Sequence, residues 1–128
     1  MSYPGLPSTI SVDGVAYRIV EDPSILPAED RRSQEYREDG EYDAEAQTIK
    51  IKPGMALDYA RHIAVHEALH ALWEHAGMTA AGGPLELIEE QVVTALARRL
   101  VGFLRDNPEF VRFVAGRNDG HISQSVGA

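Results

Sequence analysis

From Leu57 to Ala76 the chain contains neither Gly nor Pro, and the run stops at Gly77, a residue type that commonly closes helices. This predicts one long helix, which needs a surface to bury against. The residues before it have a different period. Thr9-Ile10-Ser11-Val12 alternates, Asp13-Gly14 is a tight-turn pair, and Val15 to Glu21 stays rich in β-branched and aromatic residues. A second hairpin is expected from Gly40-Glu41-Tyr42 through Asp43 to Ala46, returning along Thr48-Ile49-Lys50-Ile51-Lys52. The Ile/Lys alternation there suits one buried and one wet face. After the long helix, Gly82-Gly83-Pro84 precedes a second helix, about Leu85 to Arg105. Asp106-Asn107-Pro108 restarts a short third one through Val114, ended by Gly116.

The expected architecture is therefore α+β, with a small antiparallel or mixed sheet of about four strands packed against the long helix and two further helices. At 128 residues one domain is expected, spanning 1–116, followed by a mobile polar tail at 117–128. Trp73, Leu69, Leu72, Val93, Leu96, Leu100, Phe103, Leu104, Phe110 and Phe113 are expected in the core.

There is no Cys, so disulfides, Cys nucleophiles and thiolate metal sites are excluded. Any metal must be held by His or carboxylate. The net charge of −8 disfavours nucleic acid and anionic lipid as partners. It is also concentrated, because residues 21–45 hold ten acids and three bases. That segment reads as a solvated acidic loop that repels acidic partners. No apolar run approaches the ~20 residues needed to span a bilayer. The first residues do not read as a signal peptide, so a cytoplasmic protein is expected.

The long helix carries Ile63-Ala64-Val65-His66-Glu67-Ala68-Leu69-His70. His66 and His70, four apart, lie on one helical face and can share one tetrahedral zinc. Glu67 adjoins the first ligand, where its carboxylate can reach a zinc-bound water. This is the His-Glu-x-x-His signature of zinc hydrolases.

Zinc needs a third protein ligand. His75 does not extend the motif in the metzincin manner, since Trp73 stands where that pattern has Gly and His75 is one residue early. His62 shares the face but lies about 12 Å along the axis from His70, too far to chelate the same ion. Glu89 and Glu90 open the next helix. Helical periodicity places Glu89 near the centre of that helix's apolar face and Glu90 on its edge, which favours Glu89.

These residues resemble the gluzincin metallopeptidases, specifically the small ImmA/IrrE-like and phage-encoded minimal zinc peptidases. The resemblance runs from about Gly40 to Phe113. It rests on the hairpin ending Thr48-Ile49-Lys50-Ile51, the His66-to-His70 helix, and Glu89-Glu90-Gln91-Val92-Val93. Leu104-Arg105-Asp106-Asn107-Pro108-Glu109-Phe110 looks like the phage-encoded members. In the wider family the ligand helix reads Glu-x-x-Ala-Asn-x-Phe-Ala-x-x-Leu-Leu. Setting Leu96-Ala97 and Leu100-Val101 on its apolar pairs puts Glu90 on the ligand Glu and Thr94 on the Asn. The family's closing Met-Pro is absent. The resemblance also implies a sheet packed on the active-site helix, with an edge strand beside the cleft that pairs with substrate peptide. Tyr42 to Ile51 is the expected supplier.

The function expected is zinc-dependent hydrolysis of a peptide bond in a peptide or protein substrate, in the host cytoplasm if the chain is phage-encoded. His66, His70 and Glu90 (or Glu89) would hold Zn2+, and Glu67 would act as general base. His62, His75, His121, Tyr36 and Tyr42 are candidate oxyanion donors. The competing expectation is a non-catalytic, zinc-stabilised interaction or regulatory module. A retained Glu67 argues against that, since a structural site needs no base and usually has four protein ligands.

Overall fold

Asp13 and Gly14 both take positive φ, 52° and 81°, as a two-residue hairpin turn that matches strand twist requires. They join β1 (Thr9–Val12) to β2 (Val15–Glu21), antiparallel, with Val12 opposite Val15. The computed structural model that shows this describes residues 2–25, 39–78 and 84–116. The second hairpin joins β3 (Gly40–Asp43) to β4 (Thr48–Ile51), with Gly40 opposite Ile51. Its turn is held by the Asp43 carboxylate, which accepts from the Ala46 N–H at 3.0 Å, and by Gln47 at φ 53°. β4 lies parallel to β2, so the sheet is mixed, in the order β1-β2-β4-β3. Among the described residues β3 is at an edge of the sheet, whereas β4 is paired on both sides.

The long helix, α1, spans Leu57–His75. It ends because Gly77 turns left-handed at φ 81°. The N–H of Gly77 then bonds the Glu74 carbonyl at 2.9 Å, and that of Met78 bonds the Trp73 carbonyl at 3.2 Å. These two bonds satisfy carbonyls the helix would otherwise leave open. One stripe of α1, Ala60, Ile63, Glu67 and Ala71, is buried, and α1 packs on β1, β3 and β4. Ile49 and Ile51 complete this core at 1% and 0% exposure. Tyr3, absent from the expected core, is buried too. Its hydroxyl donates to the Lys52 carbonyl and accepts the Met55 N–H, tying the first residues to the approach to α1.

α2 (Pro84–Asp106) packs on the other side of α1, and α3 (Pro108–Ala115) packs on α2. The layers are sheet, α1, α2. Among the described residues α2 touches no strand, so it buries only a narrow stripe, centred on Val93 and Ala97. This corrects the expected core. Leu72 of α1 and Phe110 and Phe113 of α3 are exposed, Phe113 by 82%, and so are Leu96, Phe103 and Leu104 of α2. A helix with a single large neighbour cannot bury the whole of a wide apolar face. No helix among the described residues is long and apolar enough to cross a membrane. The acidic stretch 26–38, Tyr36, His121 and the tail 117–128 lie outside the described residues.

Candidate metal centre

Two stripes of α1 face in different directions. Glu67 shares the buried, sheet-facing stripe with Ile63 and Ala71, and is 7% exposed. His62, His66 and His70, each four apart, run along a neighbouring half-buried stripe. The His66 and His70 rings stand 4.9 Å apart between centroids, with their Nε2 atoms 3.3 Å apart.

α2 brings the carboxylates. Glu90 straddles the two rings, with Oε1 3.0 Å from Nε2 of His70 and Oε2 3.2 Å from Nε2 of His66. One donor atom from each of His66, His70 and Glu90 falls within a 4.8 Å cluster. Bonds of about 2.0–2.2 Å in a tetrahedral zinc site put neighbouring ligand atoms about 3.3–3.5 Å apart. The two ring nitrogens are 3.3 Å apart and each meets a different oxygen of Glu90, so His66, His70 and Glu90 form a donor set that could hold a metal ion such as zinc.

Glu89 meets the other nitrogen of His70. Its Oε2 lies 2.6 Å from Nδ1 of His70. A metal on Nε2 would require the ring proton on Nδ1, where the Glu89 carboxylate is placed to accept it. Both glutamates therefore meet His70, one on each nitrogen. The Glu89 side chain is the more buried of the two, as its place near the centre of the apolar face predicts. Thr94 Oγ1, one turn along α2, donates to Glu90 Oε2 at 3.2 Å.

Burial pushes the His66 imidazole below its usual value, Glu90 opposes this, and His70 and His62 reinforce it. A neutral ring is the form that binds metal. His62 is also lowered, first by burial and then by Arg98. Its ring stands edge-on to His66 at 6.4 Å and edge-on to Tyr59 at 5.8 Å.

Of the other candidate donors among the described residues, Tyr42 and His75 lie near the C-terminal end of α1. Tyr42 on β3 donates to Glu74 at 2.7 Å. His75 Nε2 lies 2.8 Å from the Tyr17 hydroxyl, and its Nδ1 lies 3.4 Å from Asp13. These groups are engaged with one another in a polar network that ties the end of α1 to the sheet. Three residues beside Glu67 and His62 escaped the sequence reading. Gly40 packs on Glu67, and Tyr59 donates to the buried Asp39 at 2.6 Å. A Gly opening a predicted strand, with no turn to explain it, was the one available signal. Comparison with family models, with curated proteins and with solved structures finds no match to this chain.

Proposed function

We propose that this chain is a zinc-dependent metallopeptidase. The observation that carries the reading is the Glu90 carboxylate closing on Nε2 of both His66 and His70, with Glu67 on the adjoining stripe of the same helix. His66, His70 and Glu90 would hold the metal, three protein ligands with a fourth position left for water or substrate. A zinc ion held there would supply a water of lowered pKa and a Lewis acid for a carbonyl oxygen.

The remaining work falls to the chain's own residues. Glu67 takes the proton of the attacking water onto its carboxylate and delivers it to the leaving amine. Glu89 keeps the His70 proton on Nδ1. Among the described residues the outer edge of β3 has no strand paired to it, so an extended peptide can add there as a further strand. Glu41, Asp43 and Glu45 lie on or beside β3, which favours basic or neutral peptides over acidic ones.

The test compares wild type with Glu67→Gln for zinc content and for cleavage of casein and of a randomised peptide library, read by mass spectrometry. Zinc in both and cleavage only by wild type is the expected result. Equal cleavage by the two removes Glu67 from the chemistry. Full zinc in both with nothing cut favours the second reading, a zinc-stabilised interaction module. The exposed Leu96, Phe103, Phe110 and Phe113 on α2 and α3 speak for that reading.

A further inference from the structure

Gly40 opens β3 without a left-handed backbone, since it is not among the glycines with positive φ. Its lack of a side chain answers to space instead. A Cβ placed there falls 2.6 Å from Cγ2 of Ile63, 3.0 Å from Oε2 of Glu67 and 3.1 Å from Cγ of Glu67. Carbon atoms in contact sit about 3.5–4.0 Å apart, so something must move.

The strand is held against retreat. Asp39, immediately before it, is buried and accepts the Tyr59 hydroxyl of α1 at 2.6 Å. Lys52 Nζ lies 3.8 Å from the same carboxylate, and the Lys52 N–H bonds the Asp39 carbonyl at 3.0 Å. Gly40 itself is registered opposite Ile51 in β4. An added methyl is therefore pressed onto the Ile63 and Glu67 side chains.

We propose that Gly40 is a positioning residue. By carrying no side chain it lets the substrate-edge strand begin directly on Glu67, and it fixes where that carboxylate sits relative to the strand. The catalytic half of this inference rests on the metallopeptidase reading, and the contact itself does not.

The experiment uses the full chain as wild type, Gly40→Ala, Ile63→Ala and the double variant. It reads Tm, zinc content, kcat and KM, and the carboxyl 13C resonance of Glu67, assigned by its loss in Glu67→Gln. Gly40→Ala should keep its zinc, shift the Glu67 resonance, and lower kcat by about 10- to 100-fold with KM little changed, the scale of a misplaced catalytic group. Ile63→Ala removes the closest contact, so Gly40→Ala should cost less Tm in that background than in wild type. The kcat loss and the resonance shift should persist there, because the Glu67 contacts remain.

A Glu67 resonance and kcat left at wild-type values by Gly40→Ala would overturn the proposal. So would their return, in the double variant, to the values of Ile63→Ala alone. The double variant also keeps the measurement readable if the single one folds poorly. A shifted resonance in a protein whose wild type cuts nothing supports the positioning contact and discards the catalytic reading.

Discussion

Glu89 Oε2 lies 2.6 Å from Nδ1 of His70, on the opposite side of the ring from the Glu90 carboxylate. Two carboxylates adjacent in sequence thus address the two nitrogens of one imidazole, and their substitution should have unequal effects. Glu90→Ala should abolish stoichiometric zinc binding. Glu89→Ala should keep the metal with affinity lower by about 10- to 100-fold, as loss of an orienting carboxylate does. Chelator competition measures both. Equal affinities in the two variants contradict the division of roles.

Thr94 donates to the Glu90 oxygen that faces His66. Thr94→Val keeps the shape and removes that bond. The net worth of a neutral hydrogen bond is about 0.5–1.5 kcal/mol, so zinc affinity should fall no more than about tenfold. The same competition assay decides it, and a larger loss would mean that Thr94 does more than steady Glu90.

Tyr42 couples β3 to α1, donating to Glu74 and lying 3.4 Å from the Tyr17 hydroxyl. Burial raises its phenol well above the ordinary value, helped by the hydrogen bonds to Tyr17 and Glu74. A raised pKa means that its contribution is complete below the unfolded-state pKa of about 10 and is lost as pH rises above it. Tyr42→Phe should destabilise the chain by about 0.5–1 kcal/mol at pH 7.5. Urea midpoints at pH 7.5 and 10.5 should show the gap to wild type narrowing at the higher pH. A constant gap shows that Tyr42 ionisation is not linked to folding.

Phe113 is 82% exposed and Ile49 is 1% exposed. Phe113→Ser should leave stability within about 0.5 kcal/mol of wild type, the range for surface substitutions. Ile49→Ala should cost about 2–5 kcal/mol, for lost burial and the cavity left behind. Urea unfolding compares them directly. A large loss at Phe113 would show that something covers α3 in solution.

The local signals in the sequence translated well wherever one stretch of backbone settles the outcome. Asp13-Gly14 makes its turn because both residues tolerate positive φ. α1 runs along the stretch free of Gly and Pro, with Gly77 closing it. The spacing of His66 and His70 guarantees a shared face in any helix. Glu89 and Glu90 were legible as a pair and not as individuals. Adjacent helical residues point about 100° apart, and only the way α2 lies across α1 shows which nitrogen each one meets.

What periodicity could not convey is how many neighbours a helix has. Leu96 and Phe103 look like core residues along α2, yet α2 meets α1 and no strand among the described residues, so that side of the helix stays open. The clamp of Asp39 and Tyr59, and the fit of Gly40 on Glu67, join residues 20 or more positions apart, and a Gly at the start of a strand does not say what it packs on. Helical period and turn chemistry are properties of a few consecutive residues and are written in their order. The second nitrogen of His70, the open face of α2 and the space denied to a side chain at Gly40 depend on which surfaces pack together. That is settled by the burial of Ile49, Ile51, Ile63 and Val93 between layers drawn from the whole chain.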